Sequence, residues 1–294
     1  MSGPEGRRVS IIGVGKVGSA LASVLPSKGY RVVAVHDTDA RALRRAAGLS
    51  GARRAVDAVD AIREAEVVFI TTPDGAVEET CREIAGAATE LAGRTFVHMS
   101  GALSLAALSA AAERGAGVLS IHPIQTFADV EGAVRSLPGS AFGVTCSPDL
   151  EPWAREFVHR LGGRMLEVRD ADKVLYHAAA VIASNFLAMI EHAAVAVNRE
   201  LGLTDAEAME ALEPLVRGTV DNISRLGPVR ALTGPLARGD VDTIASHLEY
   251  LERLDPRLER LYRCVSLWGL ALVEELGELD ERRIGEMRSV LEGG

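Results

Sequence analysis

With 294 residues, 48% of them hydrophobic and 25% charged, and a formal net charge of −9, the chain has the composition of a soluble globular protein of one large or two ordinary domains. The acidic balance and the lack of a basic stripe argue against nucleic acid as a partner. Three scattered cysteines at positions 81, 146 and 264, a polar N-terminus and the lack of a long charge-free stretch predict a cytoplasmic protein with no bound metal and no membrane partner.

The start of the chain predicts a dinucleotide-binding βαβ unit. In chain order it has an apolar run at 8–12, the glycine-rich turn Gly13-Val14-Gly15-Lys16-Val17-Gly18, a helical pattern at 19–26, a second apolar run at 30–35 and the acidic residue Asp37. Gly13 permits a tight turn, Gly15 lets backbone N–H groups approach a pyrophosphate, and Gly18 lets the helix pack close to the sheet. We therefore expect residues 13–18 to bind a nicotinamide dinucleotide, the alternative being a turn that serves packing only.

Asp37 bears on the choice between NAD and NADP. A carboxylate at this position accepts both ribose hydroxyls of NAD and repels the 2′-phosphate of NADP. Arg41, Arg44 and Arg45 on the next predicted helix are within reach of such a phosphate, and Asp37 is also a suitable N-cap for that helix. The balance slightly favours NAD.

Apolar runs alternate with helical patterns up to residue 168, which predicts a parallel sheet with helices on both faces. The further predicted strands are 66–70, 95–99, 117–121, 141–145 and 164–168, and the further helices 40–47, 61–65, 76–88, 103–114 and 150–161. Ligands bind beyond the carboxyl ends of such strands, so residues 71–74, 98–101 and 122–126 are expected to border the cofactor crevice. Thr72 and Pro73 are predicted cofactor contacts.

After residue 169 the strand pattern ends. The chain is therefore predicted to divide into a Rossmann-like α/β domain, residues 1–169, and an all-α domain, residues 170–294. The second domain begins with one helix of about thirty residues, about 45 Å long, that is apolar nearly all round and should be buried on most faces. The later helices are expected at 204–226, where Thr204 and Glu207 form a capping box, at 240–254, from 256 and from 280, with a loop at 227–239.

Lys173 and His177 stand four residues apart at the start of the long helix, on one face of it. That position follows directly from the last strand and should lie at the mouth of the crevice. A lysine there protonates a carbonyl oxygen as hydride arrives or stabilises its developing charge, and His177 orients the substrate or shares the proton. The alternative is a surface lysine beside a core histidine, although lysines are rare in this chain.

Polar residues also stand at the predicted strand ends. Ser100, followed by Gly101, is expected to contact the nicotinamide or a substrate carboxylate. His122 is a candidate catalytic residue with a structural role as the alternative. His98 is expected to be structural.

Three further candidates lie in the helical domain. Ser184 and Asn185 interrupt the apolar helix, and an amide buried there needs a partner, which is either substrate or backbone. Ser184 returns to nearly the same helical face as Lys173. Arg238 is a candidate for binding a substrate carboxylate through its planar guanidinium.

Four motifs extend over nearly the whole chain. They are His98-Met99-Ser100-Gly101-Ala102, His122-Pro123-Ile124-Gln125-Thr126-Phe127, the helix start from Asp172-Lys173 through Tyr176-His177 to Ser184-Asn185-Phe186, and Thr233-Gly234-Pro235 through Arg238-Gly239-Asp240. With them the chain resembles the superfamily of 6-phosphogluconate dehydrogenases, β-hydroxyacid dehydrogenases, pyrroline-5-carboxylate reductases and ketopantoate reductases. It is most similar to the oxidoreductase family that joins a Rossmann-like domain to a C-terminal domain of unknown function, DUF2520.

The resemblance implies an NAD(P)-dependent oxidoreductase that transfers a hydride between nicotinamide and a small 2-oxo acid or hydroxy acid of ketopantoate type. Lys173 matches the catalytic lysine of β-hydroxyacid dehydrogenases, whereas His177 stands where those enzymes have Asn. A cyclic imine reductase of pyrroline-5-carboxylate type is the second interpretation, and an NAD(P)-sensing protein without turnover is the third. Relatives dimerise through the helical domain, so a homodimer is expected.

Overall fold

The computed structural model describes residues 6–293, which form two compact units, one ending at Phe186 and the other beginning at Leu187. The first unit is built on an eight-stranded sheet of order β3-β2-β1-β4-β5-β6-β7-β8. Its strands are β1 (Arg8–Ile12), β2 (Arg31–His36), β3 (Arg53–Arg54), β4 (Val67–Ile70), β5 (Thr95–His98), β6 (Gly117–Ile124), β7 (Ala141–Cys146) and β8 (Arg164–Glu167). The predicted Rossmann-type α/β fold is confirmed; only the two-residue β3 was not expected.

Neighbouring strands are parallel except for β6 and β7, which pair antiparallel. The register places Ile12 opposite both His36 and Ile70, and Ile70 opposite His98. Ser120 of β6 lies opposite His98. The carboxyl ends of β1, β2, β4 and β5 therefore meet at one edge of the sheet, where parallel α/β sheets bind their ligands.

Helices cover both faces of this sheet. They are α1 (Lys16–Val24), α2 (Ala40–Ser50), α3 (Ala58–Ala61), α4 (Asp74–Ala87), α5 (Ser109–Ala112), α6 (Val130–Ser136), α7 (Glu151–Arg160) and α8 (Lys173–Ala180). Alternate residues of β4 enter two separate apolar clusters, Phe69 the one that includes α7 and Val68 the one that includes α4. This alternation follows from the twofold side-chain period of a strand and buries the sheet on both sides.

One predicted helix is replaced by shorter pieces. Residues 103–114 form a 3-10 turn, Leu105–Leu108, and the short α5 instead of one continuous helix. The side chain of Asp170 accepts hydrogen bonds from the Ser104 hydroxyl at 2.6 Å and the Leu105 N–H at 2.8 Å. The segment is thus held at its start by a residue distant in the sequence.

The regular elements of the second unit, as far as residue 293, are all helices, as predicted. They are α9 (Phe186–Arg199), which begins at the division, α10 (Asp205–Leu226), α11 (Pro228–Ala231), α12 (Pro235–Arg238), α13 (Val241–Leu254), α14 (Pro256–Leu276) and α15 (Glu281–Glu292). The capping box of Thr204 and Glu207 is present, and Asp240 caps α13. The expected loop at 227–239 holds two one-turn helices, each with proline at its first position, where proline is tolerated.

The long helix has its predicted length but not its predicted burial. From Asp170 to Arg199 it runs for 30 residues, and its middle, Val181–Asn185, is a π-helical turn. Only 6% of its most apolar window is buried, and Ile182 and Met189 are each 60% exposed. The expectation of burial on most faces is wrong, because an all-round apolar helix needs neighbours on every side. By length and composition alone this helix is also apolar enough to cross a membrane, a property that core helices of soluble proteins share.

The boundary between the two compact units does not coincide with the end of the last strand. Strands end with β8, close to residue 169, whereas the units divide after Phe186. The difference arises because Lys173 and Tyr176 of α8 form hydrogen bonds to residues of the sheet and its loops. The first half of the long helix therefore belongs to the same compact unit as the sheet.

Candidate functional site

The glycine-rich turn between β1 and α1 fits a phosphate-binding turn. Gly13 has a φ of +85°, and a Cβ on Gly13 or Gly18 would overlap neighbouring backbone, so packing requires glycine at both positions. At Gly15, in contrast, nothing in the described part of the chain lies within 4 Å of where a Cβ would stand. Gly15 is the N-cap of α1, and no side chain caps this helix. The uncapped N–H groups and the open space beside Gly15 fit a pyrophosphate.

Asp37 lies against this turn. Its Oδ2 atom accepts the N–H of Val14 at 2.6 Å, and its Oδ1 atom accepts the N–H of Asp39 at 2.8 Å. The N-cap of α2 is Asp39, whose side chain accepts the N–H of Arg41. The alternative role of Asp37 as a helix cap is therefore wrong, because the N-cap of α2 is Asp39, two residues later.

Of the three arginines expected near a 2′-phosphate, one already has protein partners. The guanidinium of Arg45 donates to the carbonyl oxygen of Val14 at 3.1 Å and to Oγ of Ser19 at 3.2 Å. Arg41 and Arg44 are exposed on α2. The charge of Arg45 thus supports the glycine-rich turn.

A cavity of about 230 Å³ adjoins the turn, and Gly13, Asp37, Thr72 and Pro73 all line it. The hydroxyl oxygen of Thr72 is buried and has no hydrogen-bond partner within residues 6–293. Because buried polar atoms in native proteins are nearly always paired, this oxygen fits a polar group of a ligand. Four of the residues predicted to hold the dinucleotide are therefore brought together at one cavity.

Lys173 is buried at the sheet, with only 2% of its surface exposed. Its Nζ atom donates to Oγ of Ser120 at 2.7 Å and to the carbonyl oxygen of Ser100 at 3.3 Å. The surface-lysine alternative is therefore excluded. An ammonium group taken out of water is costly unless it is hydrogen-bonded, and these two acceptors satisfy two of its three protons.

Burial lowers the pKa of Lys173 from its ordinary 10.5 to about 8, and the carboxylates of Asp170 and Asp74 act in the opposite direction. The lysine is therefore still mostly charged at pH 7. The charge of Lys173 also lowers the pKa of two histidines. The pKa of His98 is lowered to about 4, mainly by burial and to a smaller extent by Lys173. His122 has its pKa lowered to about 4 by burial and by the charges of His177 and Lys173.

Two histidine rings pack against Gly101, and Tyr176 contacts one of them. The Nδ1 atom of His122 lies 2.8 Å from the phenol oxygen of Tyr176, and the His122 and His177 ring centroids are 5.8 Å apart. A Cβ on Gly101 would lie 2.6 Å from Nδ1 of His177 and 2.8 Å from Cε1 of His122. Glycine is needed there because both rings pack on its backbone. The Nδ1 atom of His177 is buried without a hydrogen-bond partner in the described residues.

Ser100 organises the turn after β5. Its hydroxyl donates to the Asp74 carboxylate at 2.7 Å and accepts the N–H groups of Ala102 and Leu103. His98 is fully buried, and its Nδ1 atom accepts the N–H of Ser100 at 3.3 Å. His98 thus has the structural position that the sequence suggests, while Ser100 presents its carbonyl oxygen to Lys173.

Two further candidates on the long helix, Ser184 and Asn185, are not gathered with these residues. Ser184 and Asn185 are exposed within the π-helical turn, so the expectation that Asn185 is buried with a partner is wrong. The π turn has more residues per turn than an α-helix and changes the direction of side chains beyond it, which the α-helical spacing from Lys173 did not include. Arg238 is exposed at the end of α12 in the helical unit.

Three residues of the cluster were not singled out from sequence. Ser120 and Tyr176 bond directly to predicted site residues, and Asp74 accepts from Ser100. Ser120 is two positions before His122 in one strand and so faces the same side, which is a usable signal. Tyr176 stands three residues after Lys173, so helical spacing places the two side chains on neighbouring positions of one face.

Comparisons with known proteins agree with this architecture. Residues 4–123 match the Rossmann-like domain family, and residues 140–268 match the family described as domain of unknown function (DUF2520). The chain combines these two domains. The DUF2520 match begins at β7, so it takes in the last two strands as well as the helices through most of α14. The family resemblance given by the sequence motifs is confirmed. No curated protein matched the chain.

Solved structures share the whole fold. A Bacteroides fragilis protein assigned as an NADP oxidoreductase is 23% identical, with 94% of this chain and 100% of that one covered and a TM-score of 0.74. A reductive aminase from Aspergillus terreus in complex with NADPH and ethyl levulinate is 18% identical, with coverages of 98% and 93% and a TM-score of 0.63. An imine reductase from Streptomyces aurantiacus is 18% identical, with coverages of 93% and 100% and a TM-score of 0.61. The fold is that of NAD(P)-dependent oxidoreductases.

Proposed function

We propose that this protein is an NAD(P)H-dependent reductase of small carbonyl compounds, with a 2-oxo acid of ketopantoate type as the leading substrate. The observation that carries the proposal is the buried Lys173 ammonium, which is held by Ser100 and Ser120 next to the strand ends that border the cofactor turn. A fixed positive charge in that place is what a carbonyl reduction needs, because negative charge develops on the substrate oxygen.

The dinucleotide would be held by the glycine-rich turn, Asp37, Thr72 and Pro73. When bound, its reduced nicotinamide supplies the hydride. Asp37 favours NADH over NADPH, because its carboxylate stands beside the turn and would repel a 2′-phosphate. Arg45 would have to break its hydrogen bonds to Val14 and Ser19 in order to bind a 2′-phosphate.

The charge state of the cluster favours a carbonyl over an imine. Lys173 is cationic at pH 7, whereas His98 and His122 are neutral. A cation attracts a 2-oxo acid and polarises its carbonyl group, but it repels the iminium form in which imines are reduced. We expect His177, whose Nδ1 atom has no hydrogen-bond partner among residues 6–293, to orient the substrate.

Cyclic imine reduction is the second candidate, and one observation favours it. Two of the similar solved structures are an imine reductase and a reductive aminase. If the substrate arrives already protonated, Lys173 is dispensable. A protein that binds NAD(P) and senses it without turnover is the alternative of another class.

The test follows the oxidation of NADH and NADPH by the purified protein with ketopantoate and with 2-methyl-1-pyrroline. We expect turnover of ketopantoate and its loss in Lys173→Met, whereas the matched variant Lys28→Met keeps the wild-type rate. Turnover of the pyrroline alone, unchanged in Lys173→Met, would support the imine reductase. Tight NADH binding without oxidation on either compound would support the sensor.

We also propose that the protein is a cytoplasmic homodimer. The three cysteines are free, as in a reducing compartment. The long helix exposes Val174, Leu175, Ile182 and Met189, each of them at least 60% exposed. Apolar surface of this extent is typical of an interface, and a second copy of the same helix has the matching apolar surface.

A further inference from the structure

Tyr176 and His122 form a polar pair that the proposed function leaves without a role. The phenol oxygen and Nδ1 lie 2.8 Å apart, and the two rings meet edge to face with centroids 5.6 Å apart. Gly143 is opposite His122 in the β6–β7 ladder, and a Cβ on Gly143 would overlap the phenol ring. The missing side chain at this position therefore makes room for Tyr176 against the sheet.

Both members of the pair hold defined protonation states at neutral pH. Burial raises the pKa of Tyr176 to about 12, against a smaller lowering by the backbone amide of Gly143. The pKa of His122, about 4, keeps its ring neutral. A neutral imidazole carries one N–H, so Nδ1 can donate to the phenol oxygen and leave the phenol proton for another acceptor.

The Tyr176–His122 pair differs from Lys173 in its exposure to solvent. The lysine is 2% exposed, and two of its ammonium protons are engaged with Ser120 and Ser100. Tyr176 and His122 are only partly buried. The cluster thus holds a fixed charge at the buried Lys173 and a hydroxyl group on the partly buried Tyr176.

We propose that Tyr176 is the catalytic acid that protonates the substrate, with His122 as the positioning residue that supports and reprotonates it; this rests on the proposed reductase function. The hydride of the reduced nicotinamide goes to the substrate carbon, the Tyr176 O–H bond breaks and the O–H bond of the alcohol product forms. The phenolate then takes the Nδ1 proton of His122 while Nε2 accepts a proton from water, so the imidazole stays neutral, and exchange of its ring protons with water restores the Nδ1–H form before the next turnover. Two electrons come from the nicotinamide and the proton comes from solvent.

The pair is tested first without cofactor or substrate, by NMR of the full-length protein with ¹⁵N-labelled histidines at pH 7. The His122 signals are assigned by their loss in His122→Asn. We expect the ring proton of His122 on Nδ1, with an N–H signal that broadens or disappears in Tyr176→Phe. A wild-type ring protonated on Nε2 would overturn the inference, because Tyr176 would then donate its proton to His122.

Kinetics give the second test, on whichever compound the wild type reduces. Tyr176→Phe keeps the ring over Gly143, and we expect kcat to fall about 10²–10³-fold while NADH affinity and thermal midpoint stay unchanged. Tyr250→Phe, at a tyrosine 69% exposed in the helical unit, should have no effect. His122→Asn, whose amide N–H can replace Nδ1–H, should keep more activity than His122→Leu.

The outcomes separate the two proposals. A Tyr176→Phe enzyme with wild-type kcat overturns the role of Tyr176 and leaves the reductase function standing. A wild-type protein that oxidises neither NADH nor NADPH with ketopantoate or 2-methyl-1-pyrroline overturns the reductase function, and this inference with it.

Discussion

Ser120 and Lys173 are 53 residues apart in the sequence, and their Oγ and Nζ atoms are joined by a hydrogen bond of 2.7 Å. Both side chains are buried. The bond connects β6 to the first turn of the long helix and fixes the ammonium beside the end of β5. The protonation of Lys173 therefore depends on a strand residue that carries no charge of its own.

Removing this acceptor should shift the pH dependence of the enzyme. In Ser120→Ala the charged form of Lys173 loses a hydrogen bond, so its pKa should fall below about 8. We expect kcat/KM, which should decline above pH 8 in the wild type, to decline at lower pH in the variant. Ser10→Ala is the matched control, because Ser10 is also a buried strand serine but its hydroxyl has no partner in the described residues. Coincident pH profiles for Ser120→Ala and wild type would refute the coupling.

The stability of the protein should rise with pH in the range where kcat/KM declines. The pKa of Lys173 is about 8 in the folded chain and 10.5 in the unfolded chain, so the unfolded chain binds more protons between these values. The free energy of unfolding should therefore gain a contribution from Lys173 as the pH rises from 8 to 10.5. Urea unfolding at pH 7.5 and 9.5 measures it, and the gain should vanish in Lys173→Met but persist in Lys28→Met. An equal gain in both variants would contradict the assigned pKa.

Asp37 should decide the cofactor preference. Asp37→Asn keeps an oxygen to accept the Val14 N–H but removes the negative charge that faces a 2′-phosphate. The ratio of kcat/KM for NADPH to that for NADH should rise by about tenfold, the equivalent of about 1.4 kcal/mol. Asp39→Asn, at the N-cap of α2, should leave the ratio unchanged. A wild-type protein that already prefers NADPH would show that the Asp37 carboxylate does not determine the cofactor preference.

Two glycines of the turn should respond differently to alanine. Gly13→Ala places a Cβ against the backbone of Thr72 at a φ of +85°, and we expect it to cost more than about 1 kcal/mol of stability. Gly15→Ala meets no protein atom within 4 Å among the described residues, so its thermal midpoint should change little while its affinity for NADH weakens by about tenfold. Undiminished NADH affinity in a folded Gly15→Ala would show that the turn serves packing only.

The exposed face of the long helix should hold the dimer together. Ile182→Glu puts a charge on a side chain that is 60% exposed in the single chain, so it should not unfold the protein but should disrupt an apolar interface. Light scattering coupled to gel filtration should report a dimer for the wild type and a monomer for the variant. Val56→Glu, at an exposed apolar residue of the Rossmann unit, is the control. A monomeric wild-type protein would contradict the prediction that a second copy of the chain covers this face.

Several features of the site follow from short stretches of sequence. The strand, glycine-rich turn, helix and acid at residues 8–37 are all present, and Lys173 lies near the start of the 30-residue helix from Asp170 to Arg199. Such features depend on neighbours within about four residues, through side-chain period, backbone freedom at glycine and helix capping. Even the cap could be misplaced locally, since Asp39 and not Asp37 begins α2.

The sequence by itself determined the Rossmann-like sheet followed by helices, the glycine-rich turn and the place of Lys173 at the start of the long helix, because each leaves a local pattern. Only the tertiary structure decided that Ser120 holds the lysine, that Tyr176 meets His122 across Gly143, and that Asn185 is exposed. These relationships arise from strand register, from a π turn inside a helix and from a missing Cβ in a neighbouring strand. None of them is set by adjacent residues, so they exist only once distant segments of the chain have packed together.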